Sequence, residues 1–174
     1  SRLLCCPIWL ILFYFDYYYL SLILVIYSAI SDYLDGFLAR KLNSISKIGK
    51  TLDPIADKIF TCTVLITFIS DSRANFIIVS LIIIRELIVS GLREALAIYN
   101  HSQALNVTLL SKLKTAFQFI AIFILTLMPL SIEYSLKIYI LGSIFLYLTA
   151  LLTIYTGYKY VIKSIIILKK MKKE

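Results

Sequence analysis

Six apolar runs, separated by short polar segments, occupy nearly all of this 174-residue chain. A helix needs about 20 mostly apolar residues to cross a bilayer, so the length allows about six crossings with short loops. Hydrophobic residues make up 60% of the chain, above the roughly 45–50% of soluble domains, which argues against a soluble globular fold. The chain is therefore predicted to be an all-α integral membrane protein with six transmembrane helices.

We place the predicted spans at about residues 2–12, 20–38, 52–69, 75–96 and 109–130, with a last span that begins near Ile138. The spans are expected to form a single domain covering residues 1–174. The chain begins at Ser1, inside the first predicted helix. We therefore expect that the upstream part of that helix is missing.

Basic residues concentrate on one side of the predicted membrane. If the loop at residues 40–50 is cytoplasmic, only Arg73 and Lys137 of the 18 Lys and Arg residues lie outside. Cytoplasmic loops collect Lys and Arg, so both termini are predicted to be cytoplasmic. The net charge of +8 has the same explanation. Nucleic-acid binding is not expected, because the basic residues lie between apolar spans.

Four aspartates lie within the predicted spans, where charged side chains are costly and usually functional. Asp32 and Asp35 are three residues apart and Asp53 and Asp57 are four apart, so each pair shares a helix face. Four converging carboxylates would repel one another unless cations neutralised them. Oxygen ligands without His or Cys select Mg²⁺, Mn²⁺ or Ca²⁺, and a pair of such ions suits phosphoryl chemistry. Asp53 alone could equally be the N-cap of its helix.

The aspartates form part of a longer gapped motif. It reads Asp32-x-x-Asp35-Gly36-x-x-Ala39-Arg40, then eight residues, then Gly49-x-x-x-Asp53-x-x-x-Asp57. This motif resembles the signature of the CDP-alcohol phosphatidyltransferase family, with all eight defining positions matched, and the resemblance covers nearly the whole chain. It implies a membrane enzyme of six helices, usually a homodimer, with its active site at the cytoplasmic ends of the helices. Such enzymes transfer a phosphatidyl or phosphoalcohol group from a CDP-linked substrate to a hydroxyl and release CMP.

The resemblance also implies a role for each motif residue. The metal ligands are Asp32, Asp35, Asp53 and Asp57, holding two divalent ions, Mg²⁺ or Mn²⁺. Asp57 is in addition the general base. The CDP group is bound by Asp32, Gly36, Ala39, Arg40 and Gly49. The small residues admit the cytidine and Arg40 meets the diphosphate.

Two further segments, Arg85-Glu86-Leu87 and Ser111-Lys112-Leu113-Lys114, resemble the bacterial members of the family that use CDP-diacylglycerol and glycerol 3-phosphate. The implied products are phosphatidylglycerophosphate and CMP, made at the inner (plasma) membrane among its lipids. An acceptor that carries a phosphate needs a basic pocket. The candidates on spans four and five are Arg85, Arg93, Lys112 and Lys114. Arg85 could instead pair with an acid, but the adjacent Glu86 is predicted to face elsewhere on the helix.

Two kinds of alternative stay open. The same chemistry could use phosphatidylglycerol, inositol phosphate or serine as the acceptor, although serine has no phosphate and would not need the basic residues. A cation transporter could also use the aspartates, and it predicts ion flux without CMP release. The transporter hypothesis leaves Gly36, Arg40 and Gly49 unexplained at these spacings. A non-catalytic relative is disfavoured, because every aspartate of the motif is present.

Overall fold

The computed structural model describes the backbone of residues 2–42, 47–98, 108–131 and 133–171. It describes the side chains of the same residues apart from Arg2, residues 32–42 and 47–54, Asp57, Ala97, Ile98, Leu168, Lys170 and Met171.

Six α-helices and one short 3-10 helix make up most of the described residues, among which there is no β-strand. In chain order they are α1 (Arg2–Tyr14), α2 (Tyr18–Leu42), α3 (Lys47–Ser70), α4 (Phe76–Ile98), α5 (Leu109–Leu127), the 3-10 helix (Met128–Leu130) and α6 (Ser135–Met171). The prediction of an all-α chain with six helices is confirmed for this part of the chain. Both α2 and α3 extend past the predicted spans into the polar segment, so the aspartate motif lies on helices.

Two helical stretches of the described residues are long and apolar enough to cross a membrane, Leu109–Leu130 and Ser135–Ile167. The apolar parts of three other helices are shorter, at Leu3–Tyr14, Tyr18–Ser31 and Lys58–Ser70. In α2 and α3 the charged motif residues occupy the remainder of the helix, which shortens the apolar stretch. The 37 residues of α6 are about 55 Å long at about 1.5 Å per residue, well beyond the roughly 30 Å of a hydrocarbon core.

The chain divides into two compact units. The first unit comprises Ser1–Ala74 and Ala121–Ser143, and the second comprises Asn75–Ile120 and Ile144–Glu174. Helices α5 and α6 therefore contribute residues to both units. The aspartate motif belongs to the first unit, and the predicted acceptor residues belong to the second. The single domain expected from the sequence stays a prediction.

In the first unit, Trp9 of α1 packs against α3. Its side chain is 0% exposed, and its Nε1 donates a hydrogen bond of 3.0 Å to Oγ1 of Thr67. The rings of Phe60 and Phe68 meet the indole edge-on, with centroids 6.3 Å and 6.2 Å away. A buried indole needs such a partner for its N–H. This packing fixes the second half of α3, whose first half carries two of the motif aspartates.

Arg73 lies just after the C-terminal end of α3, whereas the motif residues lie in the first half of that helix. It is 4% exposed, and its guanidinium carbon lies 5.3 Å from the ring centroids of both Phe13 and Tyr18. Its Nε forms an ion pair with Asp71, and its Nη1 donates a hydrogen bond of 3.4 Å to the carbonyl of Leu125. One cation thus joins α1, α2, the turn after α3 and α5, so the turn predicted to lie outside the membrane is an ordered part of the first unit.

The second unit has an apolar cluster where α4 meets the last turns of α6. Val89, Leu96 and Tyr160 are buried in it, and Leu92 and Ile167 pack against them. The cluster fixes the facing surfaces of α4 and α6 beside the predicted acceptor residues.

Candidate functional site

The motif residues lie on two consecutive helices of the first unit. The second half of α2 carries Asp32, Asp35, Gly36, Ala39 and Arg40, and the first half of α3 carries Gly49, Asp53 and Asp57. The backbone is helical at both aspartate pairs, which is the condition on which the spacing argument depends. The side chains of these eight residues lie outside the described ones, so their predicted roles stay predictions.

Asp53 does not begin a helix. α3 begins at Lys47, six residues earlier, so the alternative that Asp53 is merely an N-cap was wrong. The Asp-Pro pair at 53–54 resembles a helix start only when the preceding residues are read as a loop. A carboxylate six residues inside a helix does not cap that helix, so Asp53 needs another explanation.

The four aspartates are a suitable donor set for a hard divalent cation. Carboxylate oxygens are the ligands that Mg²⁺ and Mn²⁺ prefer, and sulfur or imidazole ligands are not needed. Among the side chains that the structure describes, which do not include the four aspartates, no group of three or more His, Cys, Asp or Glu residues could hold a metal ion.

Arg85 occupies a polar position on α4 in the second unit. Its side chain is 12% exposed, and its Nη2 donates a hydrogen bond of 2.8 Å to Oγ1 of Thr156 on α6. Its Nη1 lies 3.3 Å from Oε1 of Glu86. The expectation that Glu86 faces away from Arg85 was therefore wrong. Both side chains are long, and they bend toward each other from neighbouring positions.

Glu86 also reaches a second cation. It forms an ion pair with Lys114 of α5, which is buried. Glu86 therefore joins Arg85 and Lys114, two of the predicted acceptor residues. Lys112 is exposed, and its side chain makes no ion pair with any residue whose side chain the structure describes. The structure brings Lys114 to the same carboxylate as Arg85 and leaves Lys112 outside this set of contacts.

Arg93, the remaining predicted acceptor residue, lies against an aromatic ring that it shares with Arg85. The guanidinium carbons of Arg93 and Arg85 lie 5.4 Å and 5.6 Å from the ring centroid of Tyr160. The hydroxyl of Tyr160 is 3.0 Å from Oγ of Ser111. Within the described part of the chain, the Nε atoms of both arginines are buried without a hydrogen-bond partner. We call Arg85, Glu86, Arg93, Lys114 and Tyr160 the basic cluster.

Sequence reasoning missed four contributors to this region. Glu86, Thr156, Gly157 and Tyr160 all contact the predicted arginines or lie beside them. A Cβ added to the buried Gly157 would lie 2.8 Å from Cγ of Arg85. The one signal in the sequence was a Thr-Gly pair in the middle of the last apolar span, because small and polar residues in spans often mark close helix contacts.

The basic cluster has the charge of an anion-binding site. Its three cations face one carboxylate, which leaves two positive charges in excess. Arginine guanidiniums bind phosphate through paired N–H donors, and such charge-assisted hydrogen bonds are about twice as strong as neutral ones.

Known proteins similar to this chain share one chemistry. A family model described as CDP-alcohol phosphatidyltransferase matches residues 1–155. Three similar curated proteins are each named CDP-diacylglycerol–glycerol-3-phosphate 3-phosphatidyltransferase. The protein of Rickettsia typhi is 39% identical over 165 residues, 92% of this chain and 90% of the relative. The protein of Wigglesworthia glossinidia brevipalpis is 39% identical over 91% of this chain and 87% of the relative. The protein of Bacillus subtilis is 37% identical over 82% of this chain and 72% of the relative.

Proposed function

Because the chain belongs to the CDP-alcohol phosphatidyltransferase family, we propose that it transfers the phosphatidyl group of CDP-diacylglycerol to glycerol 3-phosphate. The products are phosphatidylglycerophosphate and CMP. The observation that carries the proposal is the complete aspartate motif on α2 and α3. The names of relatives about 39% identical over most of the chain support glycerol 3-phosphate as the acceptor.

The divalent cations are assigned to the motif carboxylates. We infer that Asp32, Asp35, Asp53 and Asp57 hold Mg²⁺ or Mn²⁺, and two ions would balance four carboxylate charges. When bound, such ions neutralise charge on the diphosphate and on the leaving CMP.

The remaining motif residues are assigned to the nucleotide. Gly36, Ala39 and Gly49 offer little side-chain bulk, which suits the close approach of cytidine. Arg40 binds the diphosphate through the paired N–H donors of its guanidinium. Asp32 contributes to the same subsite. These residues hold the lipid-side phosphorus for in-line attack by a hydroxyl.

Asp57 is assigned as the general base that accepts the proton of the attacking hydroxyl. The hydroxyl oxygen of glycerol 3-phosphate forms a bond to the lipid-side phosphorus, and the bond from that phosphorus to the CMP oxygen breaks. Asp57 accepts the hydroxyl proton as the new bond forms. A single displacement needs no covalent intermediate on the protein.

The phosphate of the acceptor is assigned to the basic residues of the second unit. Arg85 and Arg93 lie against one ring and have buried Nε atoms without partners among the described residues. Lys114 is assigned the role of neutralising Glu86 through their ion pair, which leaves the charge of the two arginines for the phosphate. Lys112, which is exposed, completes the predicted set.

The setting is proposed to be the bacterial inner (plasma) membrane, with six transmembrane helices and with both termini and the active site cytoplasmic. Large apolar side chains are exposed on all six helices, which suits contact with lipid. Two stretches are long enough to cross on their own. A homodimer and a single domain are proposed from the family, whose model spans residues of both units.

Release of CMP by the purified protein tests the proposal. The protein in detergent is given CDP-diacylglycerol, Mg²⁺ or Mn²⁺, and one acceptor at a time. We expect release with glycerol 3-phosphate, and a loss of at least about 100-fold in Asp57→Asn, the size of a general-base contribution. Glu133→Gln is the matched control, because Glu133 is an exposed carboxylate outside the motif.

Other results would overturn particular parts of the proposal. Release with phosphatidylglycerol, inositol phosphate or serine, and none with glycerol 3-phosphate, would refute the acceptor. Cation flux into vesicles without any CMP release would favour a transporter. Equal activity of Asp57→Asn and Glu133→Gln would refute the assignment of the general base.

A further inference from the structure

In the second unit, the side chain of Tyr160 is fixed at its ring by apolar packing and at its hydroxyl by a hydrogen bond. Its side chain is 6% exposed, and its ring is buried with Val89 and Leu96 between α4 and α6. Its hydroxyl is 3.0 Å from Oγ of Ser111, in the first turn of α5. A ring packed on one side and tethered through its hydroxyl has little freedom to tilt. Tyr160 is therefore a rigid surface that touches three helices.

Two like charges lie against this rigid ring. The guanidinium carbons of Arg85 and Arg93 are 5.6 Å and 5.4 Å from its centroid, within the range of cation–π attraction. The two carbons can be no further apart than the sum of those distances. Along α4 the two residues are eight apart, a rise of about 12 Å. The ring of Tyr160 therefore contacts two arginines that come from different turns of α4.

Each arginine keeps donor capacity that the described residues do not use. The Nε atoms of Arg85 and Arg93 are buried and have no hydrogen-bond partner in the described part of the chain. Arg85 is oriented further by Thr156 and Glu86. Arg93 has no carboxylate within ion-pair distance among the described side chains. Two neighbouring cations with unused donors are stabilised by one doubly charged anion.

The charge of the basic cluster fits a phosphate monoester. Lys114 and Glu86 pair with each other, so the two arginines supply the net charge. A phosphate monoester carries about −1.5 to −2 charges at pH 7 and offers three acceptor oxygens. A phosphodiester carries a single charge, and an alcohol carries none. Two arginines that contact one ring, with a net charge of two, therefore favour a monoester over both.

We propose that Tyr160 is a positioning residue for the acceptor. Its ring fixes the Arg85 and Arg93 guanidiniums so that both bind the phosphate monoester of the acceptor. This inference rests on the proposed function, because the monoester is taken to be that of glycerol 3-phosphate. It goes beyond that function in assigning acceptor selectivity to an aromatic residue outside the aspartate motif.

Kinetics of two Tyr160 variants test the proposal. Tyr160→Leu removes the ring and is expected to raise the KM for glycerol 3-phosphate about tenfold to thirtyfold, since two cation–π contacts are lost. The KM for CDP-diacylglycerol is expected to stay within about twofold of wild type, because Arg85 and Arg93 are not assigned to that substrate. Tyr160→Phe keeps the ring face and is expected to restore the KM for glycerol 3-phosphate to within about threefold.

A packing control separates positioning from general loosening. Val89→Ala removes a buried side chain from the same apolar cluster and leaves the ring in place. It is expected to lower the melting temperature while the KM for glycerol 3-phosphate stays near that of wild type. If Val89→Ala raises this KM as much as Tyr160→Leu does, the positioning role is wrong. If Tyr160→Phe is as defective as Tyr160→Leu, positioning by the ring face is wrong, because the hydroxyl contact with Ser111 would then carry the effect.

A binding measurement distinguishes this inference from the proposed function. Thermal stabilisation of the detergent-purified protein is measured with inorganic phosphate and with glycerol 3-phosphate. Stabilisation of wild type that is lost in Tyr160→Leu and kept in Tyr160→Phe supports positioning, even if no CMP is released with any acceptor. The absence of stabilisation in wild type by either anion overturns the inference, whatever the activity.

Discussion

Replacing Gly157 by alanine tests whether acceptor binding depends on the place that Arg85 occupies. A Cβ at position 157 would lie 2.8 Å from Cγ of Arg85 and 3.5 Å from its Nε. Ordinary contact begins at 3.4 Å, so Cγ has to retreat by ~0.6 Å to restore a normal packing distance. Because Cγ is close to the backbone of α4, rotating the guanidinium alone cannot relieve the clash. The whole side chain of Arg85 must move.

Two effects on stability partly cancel in Gly157→Ala. Overpacking a close helix contact costs about 1–3 kcal/mol, and exchanging glycine for alanine inside a helix returns about 1 kcal/mol. The free energy of unfolding should therefore fall by only about 0–2 kcal/mol.

The effect on activity should be larger than the effect on stability. A displaced Arg85 loses its 2.8 Å hydrogen bond to Thr156 and no longer meets the acceptor phosphate at the same place. A shift of about 1 Å in a positioning group can cost about 100-fold in rate. We therefore expect kcat/KM for glycerol 3-phosphate to fall about tenfold to hundredfold, with the KM for CDP-diacylglycerol within about twofold of wild type.

Initial rates of CMP release, measured while each substrate is varied in turn, give these constants. Gly142→Ala is the matched control, since its Cβ would lie 2.6 Å from Cδ2 of Leu125 in the first unit. It overpacks a helix contact without touching Arg85, so it should lower stability and leave kcat/KM unchanged per folded molecule. Gly91→Ala should leave kcat/KM unchanged and raise the free energy of unfolding by up to about 1 kcal/mol, because no described atom lies within 4 Å of its added Cβ and alanine is the better helix former.

The reasoning is refuted if Gly157→Ala keeps kcat/KM for glycerol 3-phosphate within about twofold of wild type while remaining folded. It is also refuted if Gly142→Ala lowers that constant equally. Combining Gly157→Ala with Arg85→Lys gives a further check. If Gly157 acts only through Arg85, the two losses should not add. Additive losses would mean that Gly157 affects activity by another route.

Three further substitutions test contacts that each lie within one of the two units. Glu86→Gln should destabilise the protein by about 3 kcal/mol, because it leaves the buried Lys114 without its counter-charge. Adding Lys114→Met should restore much of that loss, and a double variant that melts lower than Glu86→Gln would contradict the pairing. Thr67→Val should lower the free energy of unfolding by about 1–3 kcal/mol, since it leaves the buried Nε1 of Trp9 without its hydrogen-bond acceptor. An unchanged melting temperature would show that the indole N–H finds another acceptor. Arg73→Lys keeps the charge but loses the planar contact with its rings, and thermal unfolding should show a loss of about 1–2 kcal/mol with activity per folded molecule retained.

Local periodicity explains why much of this protein could be predicted. The peptide groups of an apolar run in a bilayer must hydrogen-bond within the run, which permits a helix and little else. The places of the six helices therefore follow from the apolar runs. The positions of Asp32, Asp35, Asp53 and Asp57 on two helices follow in the same way, and the gapped motif was enough to indicate the family. Where local cues failed, as with Asp53 before a proline, α3 began earlier than the loop-like residues suggested.

The environment of the basic cluster was decided only by the tertiary structure. Arg85 meets Thr156 across 71 residues of sequence, and Lys114 meets Glu86 across 28. These contacts depend on the rotation and register of one helix against another, which packing across the whole helix surface sets. No short window of sequence contains that information. The four arginines and lysines of the acceptor set could be named from their residue types. The contacts that Tyr160 and Gly157 make with the arginines depend on how α6 packs against α4, so they could not be predicted from the sequence.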